Sequence, residues 1–375
     1  MRKIRISHII PSLDVGGAEC MLLRLLSHND NDRFEPSVVS LKEEGELGLQ
    51  IRDLGFPVRT VGIKSSIPGI WSGYQLLSHV NNLNPDLVVG WMYHGNLAAS
   101  WVAHGWTRRS LIWNIRHSLK DINLEKPLTR CVIRMGGLLS RCPQKIIYNS
   151  QVASLQHEGF GYCKGNRLVI PNGFDLDRFS PSEVERKKVR SALGFRQSDL
   201  VIGLVGRAHP IKNYGGFIRS LACFKKQLRD VKIVIAGRGV ADEKGELFQA
   251  VKQASLTGVV TLLPQTDQPE VLYQGFDLFA LPSLSEAFPN VVGEAMACGV
   301  PCIVTDVGDA ALLVGDTGFV TQADMSEFSS KLMDVLGLGC NILKKLGGKA
   351  RLRMKDHFQI NTIVTQYDSA FVDVF

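Results

Sequence analysis

No stretch of the sequence runs for 18 apolar residues, so none is long enough to cross a bilayer as a helix. Eight cysteines are present, but without paired spacing. That argues against a disulfide framework or a Cys/His metal cluster and favours a reducing compartment, the cytoplasm. Cys298 and Cys302 flank the turn Gly299-Val-Pro301 with no second pair, and read as core residues. The opening Met1-Arg-Lys-Ile-Arg-Ile is charged like a leader. Its apolar run is only Ile-Ser-His-Ile-Ile and no small-residue cleavage site follows, so no leader is expected. The Gly237-Arg-Gly239 loop lacks the third glycine of a dinucleotide fingerprint, which argues against NAD. Acidic residues are scarce in one region: residues 105–145 hold nine basic side chains and two acidic ones. That surface could face anionic lipid or a pyrophosphate group, or be a solvated helix face.

With 375 residues the chain is too long for one typical core, so two domains are expected. Its 45% hydrophobic content and 21% charge are those of a soluble globular protein. Short apolar segments alternate with helical patterns. Strands are expected at Ile4–Ile10, Pro36–Leu41, Val58–Gly62, Asp86–Gly90 and from Leu111, with Lys145–Ser150 as the last of the first domain, and a strand and turn run from Leu168 to Asp175. In the second domain they are expected from Leu200, Val231 and Val259, then at Asp277–Leu281 and Cys302–Thr305. Such alternation implies parallel, doubly wound α/β sheets.

The informative stretch is Ser283 to Pro301. After the strand Asp277–Leu281 comes a loop with Glu286; Pro289 and Asn290 then open a helix through Ala297, closed by Gly299. Glu286 therefore lies at a strand's carboxyl end and Glu294 on the helix, at the sheet edge where α/β proteins bind ligands. Backbone N–H groups around Phe288, Pro289, Asn290 and Val291 suit a phosphate or sugar hydroxyls. The two carboxylates are acceptors for hydroxyl donors. Near the start, Gly16-Gly17 follows the first strand and opens a helix through Leu26. Two glycines let backbone approach a ligand there, though a tight strand-to-helix turn would use them as well.

Ser283 to Pro301 resembles the E-x7-E signature of retaining glycosyltransferases of family 4, which have the GT-B fold. The likeness continues in Gly16-Gly-Ala-Glu19, in Asn114-Ile-Arg-His117-Ser118, in Ile170-Pro-Asn-Gly173, in Gly206-Arg207 with Lys212, and in Val307-Gly-Asp309. Pro264, where many relatives have glycine, departs from the pattern and leaves the nucleobase open.

The resemblance implies two Rossmann-like domains facing across a cleft. The first, 1–165, is on the acceptor side; 166–195 is a linker; 196–355 binds a nucleotide-sugar; 356–375 is a helix returning to the first domain. It implies a hexosyl- or N-acetylhexosaminyl-transferase that retains anomeric configuration, the departing diphosphate taking the acceptor's proton. His117 and Glu286 would contact the donor sugar, Glu294 the ribose, and Arg207 and Lys212 the diphosphate, while the loop of Gly16 and Gly17 would sit by the donor phosphate and the acceptor. No cofactor is implied. No metal is expected either, so Asp175-Leu-Asp177 is read as part of a turn. The partners implied are a nucleotide-sugar, of the UDP class, and a glycan or lipid-pyrophosphate acceptor of bacterial surface polysaccharide synthesis, with no nucleic acid. Location would be cytoplasmic, with peripheral contact to anionic membrane through Arg108, Arg109, Arg130 and Arg134. A GT-B UDP-sugar epimerase and a non-catalytic nucleotide-sugar-binding subunit are the alternatives.

Overall fold

The computed structural model describes residues 2–63, 70–105, 109–228 and 230–375. The chain forms two compact units. One comprises Met1–Gly173 with Ile360–Phe375, the other Phe174–Gln359.

The first unit is built on a seven-stranded parallel sheet. Its strands are β1 (Ile4–Ile10), β2 (Phe34–Ser40), β3 (Val58–Thr60), β4 (Leu87–Trp91), β5 (Ser110–Ile115), β6 (Lys145–Tyr148) and β7 (Arg167–Val169), in the order β3-β2-β1-β4-β5-β6-β7. β7 is a correction: Lys145–Tyr148 is not the last strand, because Arg167–Val169 pairs in parallel beside it. Ile6, Val38, Leu87, Val89 and Ile112 are buried, as strands covered on both faces require. The helix Ile360–Val372 closes this core with Ile360, Ile363, Val364, Tyr367 and Phe371.

The second unit has six parallel strands: β8 (Leu200–Val205), β9 (Val231–Ala236), β10 (Val260–Leu263), β11 (Leu278–Leu281), β12 (Cys302–Thr305) and β13 (Phe319–Thr321), in the order β10-β9-β8-β11-β12-β13. The helix Glu183–Ala192 is fastened to it by Arg190, which is fully buried. Arg190 donates to the backbone oxygens of Gly275, Gln197 and Asp199 and to the Asp277 carboxylate, which also takes Arg186.

Both sheets carry the same switch. The strand order reverses between β1 and β4 in the first and between β8 and β11 in the second, so each opens a crevice at those strands' carboxyl ends. No helix among the described residues is long and apolar enough to cross a membrane.

Candidate active site

Three loops meet at the switch point of the second sheet. After β8, Gly206 has φ +150°, and a Cβ there would lie 2.8 Å from the Tyr214 hydroxyl, so glycine is required. Arg207 follows, exposed to solvent. His209 caps the next turn, its Nδ1 accepting the Ile211 N–H at 3.3 Å. Asn213 has φ 54°, which turns the chain into the helix Tyr214–Ser220. The loop after β11 is stitched to this one by the Leu284 N–H, which donates to the Ile211 oxygen at 2.8 Å.

Side chains complete the join. Lys212 Nζ lies 2.6 Å from Glu286 Oε1, and the Ser283 hydroxyl donates to the same oxygen at 2.8 Å. Both charged side chains are less than a fifth exposed, at 18% and 15%. The loop after β12 supports Glu286 from behind. Gly308 has φ +56°, and a Cβ on it would meet the Glu286 backbone oxygen at 2.3 Å. The Asp309 N–H donates to the Ala287 oxygen at 2.8 Å. Burial, and then the Glu286 charge, push the Tyr214 hydroxyl up, so it stays protonated beside the carboxylate. The cations Arg207 and Lys212 together help depress the His209 imidazole, after its own desolvation.

Glu294 sits in the helix Asn290–Ala297, whose N-cap is Pro289. It is buried, and the Tyr273 hydroxyl donates to its Oε2 at 3.0 Å. Burial foremost, then Glu294, raise Tyr273 well above the usual phenol range, which keeps it a donor. The Phe288 ring is in the core, with centroids 5.7 Å from Phe358 and 6.4 Å from Phe174. The Phe288 ring is therefore taken up by packing, which leaves only its backbone at the loop. Pro289 has no N–H, so the remaining backbone donors of that turn come from Asn290 and Val291. The Asp175 carboxylate accepts the N–H groups of Asp177 and Arg178, both at 3.0 Å, as an Asx turn does. Among the described residues no group of three or more His, Cys, Asp or Glu is placed to hold a metal ion.

Gly16, Gly17 and His117 belong to the first unit. Gly16 is the N-cap of the helix Gly17–Ser27. A Cβ on it would lie 2.4 Å from Glu19 Oε2, so Glu19 folds back over the helix end, and burial raises its carboxyl. His117 follows β5; its Nε2 is 2.7 Å from Glu125 Oε1, and that hydrogen bond lowers the Glu125 carboxyl. Tyr93 meets the His117 ring edge-on, with centroids 5.9 Å apart. The Tyr93 hydroxyl is 2.9 Å from His157 Nε2, and His157 Nδ1 is 2.7 Å from the Ala153 oxygen. A carbonyl only accepts, so Nδ1 carries the proton and Tyr93 donates to Nε2. Burial holds His157 neutral, its pKa down to about 4.

Next to His117, Arg116 is buried among neutral partners. It donates to Asn114 Oδ1, Asn172 Oδ1 and the Tyr367 hydroxyl, and lies 5.6 Å from the Trp91 ring centroid. Of the cations expected to meet a membrane, Arg108 lies outside the described residues. Arg109 is half-buried and donates to Asn81 Oδ1 at 3.1 Å, and so is turned inward.

The structure thus brings Lys212 and Glu286 into contact, with Arg207 on the same loop as Lys212. It sets Glu294 on the adjoining helix and leaves His117 and the glycine pair in the other unit. Ser283, Tyr273, Glu125 and Tyr93 are the site-shaping residues that sequence reasoning missed. Ser283 stands three residues before Glu286, a spacing that could have flagged it; the others gave no local signal.

Residues 199–337 match the family described as glycosyl transferases, group 1. The putative glycosyltransferase EpsF of Bacillus subtilis (strain 168) is 33% identical over 159 residues, 42% of this chain and 41% of that protein. The D-inositol 3-phosphate glycosyltransferase of Rhodococcus erythropolis is 31% identical over 209 residues, 53% of this chain and 46% of that protein. The chain therefore spans less than half the length of these curated relatives. Anabaena Alr3699/HepE, solved with UDP and glucose, superposes with a TM-score of 0.85 at 22% identity, covering 99% of this chain and 100% of that one. The chain has the GT-B fold and resembles the group 1 glycosyl transferases, as its motifs led us to expect.

Proposed function

We propose that the protein is a retaining glycosyltransferase that moves a hexosyl or N-acetylhexosaminyl group from a UDP-sugar to a glycan or lipid-pyrophosphate acceptor in bacterial surface polysaccharide synthesis. The observation that carries this reading is the largely buried Lys212–Glu286 pair at the switch point of the second sheet, with Arg207 on the same loop. Sugar hydroxyls are donors, and Glu286, fixed by Ser283 and by backbone on both sides, is an acceptor set in place beforehand. As the glycosidic bond breaks, negative charge grows on the diphosphate. Lys212 and Arg207 stabilise that charge, and preorganised donors of this kind are worth about 3 kcal/mol each at the transition state. The charged diphosphate then accepts the proton of the attacking hydroxyl on the same face of the sugar. Glu294, held by Tyr273, takes the ribose hydroxyls. His117 and the Gly16-Gly17 turn serve the sugar and the donor phosphate.

The UDP seen with the Anabaena protein supports the choice of nucleotide. No metal ion takes part in this scheme, because the two cations do its work. The proposed station is the cytoplasm, at the inner face of the membrane where such acceptors lie. Incubating UDP-glucose or UDP-N-acetylglucosamine with the protein, with and without a lipid-pyrophosphate acceptor, tests the reading. Transfer only with acceptor, with the anomeric configuration kept, is expected. Donor conversion without acceptor would make it an epimerase, and UDP binding without any turnover a binding subunit.

A further inference from the structure

The helix Pro127–Leu139 in the first unit buries only Ile133 and Gly136 among its described side chains. Its outer side is apolar. Leu138 is 83% exposed, Met135 47%, Leu128 40% and Leu139 38%, with Cys131 exposed between them. Positions 128, 131, 135 and 138 are spaced by three, four and three residues, so they form a single stripe along the helix. Scattered exposed leucines need no explanation, but a continuous stripe on one helix does. Charge around the stripe has one sign. Lys126, Arg130, Arg134, Arg141 and Lys145 surround it, and no acidic residue occurs from Lys126 to His157. Arg134 and Arg141 are exposed, and Arg130 is partly so.

We propose that this helix is a membrane-docking element: it lies in the plane of an anionic bilayer surface, with Leu128, Met135, Leu138 and Leu139 entering the headgroup boundary and Arg130, Arg134 and Arg141 on lipid phosphates. An apolar stripe flanked by cations is the pattern of an interfacial helix. A second copy of the chain fits the surface less well. An isologous contact sets each patch against itself, and here it would bring together two sets of cations with no acid between them. A lipid surface offers anions everywhere and asks for no matching shape. The inference deepens the reading of a lipid-linked acceptor by naming the surface that meets the lipid. It replaces contact by charge alone, for which Arg109 is turned inward, with insertion.

Flotation of the full chain with phosphatidylcholine vesicles, with and without phosphatidylglycerol, tests it. Binding to the anionic vesicles and weak binding to neutral ones are expected. Met135→Asp with Leu138→Asp should lower partitioning about tenfold or more at both low and high salt, since apolar burial is not screened. Arg130→Glu with Arg134→Glu should lower it chiefly at low salt, where the Debye length is long. Both variants should keep the wild-type melting temperature and UDP-induced thermal shift, which reports the nucleotide site separately. The proposal is overturned if the Met135/Leu138 variant floats like the wild type, or if the wild type ignores anionic vesicles. It is also overturned if sedimentation equilibrium finds a dimer that Leu138→Asp disperses. A chain that binds vesicles yet shows no UDP shift would instead sink the transferase reading and leave the docking surface standing.

Discussion

The two units share one strand order but bury an arginine in different company. In the second unit, Arg190 is matched by the Asp277 carboxylate and three backbone oxygens, and it fastens a helix to the sheet. In the first, Arg116 meets two amides, a phenol and the Trp91 face; Glu19 acts on it only as a weaker, more distant charge. Burial accordingly depresses the Arg116 guanidinium. Histidine divides the units too. His8 and His157 are buried and neutral in the first unit, with pKa values down to about 3 and about 4, while the second buries none. The second unit therefore organises its switch point with backbone loops and an ion pair. The first organises the end of β5 with aromatic rings, the neutral His157 imidazole and amides. The same layered scaffold can hold a site for phosphate charge or a site for neutral hydroxyls, depending on which polar groups it encloses.

The largest effect expected from this contrast is on stability. Arg190→Ala leaves Asp277 with Arg186 as its one charged partner and three backbone oxygens short of a donor. It should cost about 3–5 kcal/mol. Arg116→Met strands only neutral groups and should cost about 1–2 kcal/mol. Urea unfolding followed by circular dichroism measures both, and equal costs would erase the distinction. Next, Arg207→Ala and Lys212→Ala should each reduce the turnover of sugar transfer about a hundredfold, close to 3 kcal/mol, with unchanged melting. Wild-type rates in both would remove charge neutralisation from the second unit's account.

A smaller shift concerns acid. His8 and His157 have folded pKa values below the unfolded 6.5, so the unfolded chain takes up their protons first. Their contribution is complete above about pH 6.5 and is lost as pH falls towards 4 and 3. Asp368, raised to about 6 by burial, acts in the opposite direction. Between pH 7 and 5 the net loss in the first unit should be about 2 kcal/mol. All five tryptophans lie before Gly173, so their fluorescence reports that unit alone. If the tryptophan signal and total dichroism lose stability in parallel with pH, the histidines do not set the units apart. The smallest effect separates the glutamates. Glu294→Gln should weaken binding of free UDP about tenfold, the scale of one charge-assisted hydrogen bond, and Glu286→Gln should leave it near wild type. Calorimetric titration with UDP decides, and equal affinities would withdraw the ribose assignment.

What could be read in advance follows from the range of the signals. β1, β12 and the helix Asn290–Ala297 fall at the expected residues, because Pro289 and Gly299 punctuate the helix and apolar runs mark the strands. β13 has three residues, too few to show a period, and the strand expected at Leu168 falls in the expected linker, whereas β7 pairs in the first sheet. Glu286 and Lys212 could be named from motifs, but their contact spans 74 positions in sequence. The Tyr93–His157 bond spans 64 and the Arg116–Tyr367 bond 251. Such pairs depend on register and topology, which no local window contains. The sequence places the Phe288 backbone at the strand-end loop but does not reveal which way the ring turns; the ring packs with Phe174 and Phe358.

The first unit is interrupted: Phe174–Gln359 is inserted between its main body and the helix Ile360–Val372. On the ribosome this means that the unit made first is finished last. At roughly 5–20 residues per second, the nascent chain through Gly173 waits about ten seconds or more without Ile363, Tyr367 and Phe371, its sheet unroofed on that side. The inserted unit has no such debt to the future and can close as soon as it emerges. Premature termination within the final helix would therefore spare the second unit and condemn the older half, producing a truncated chain that chaperones hold by its beginning rather than its end.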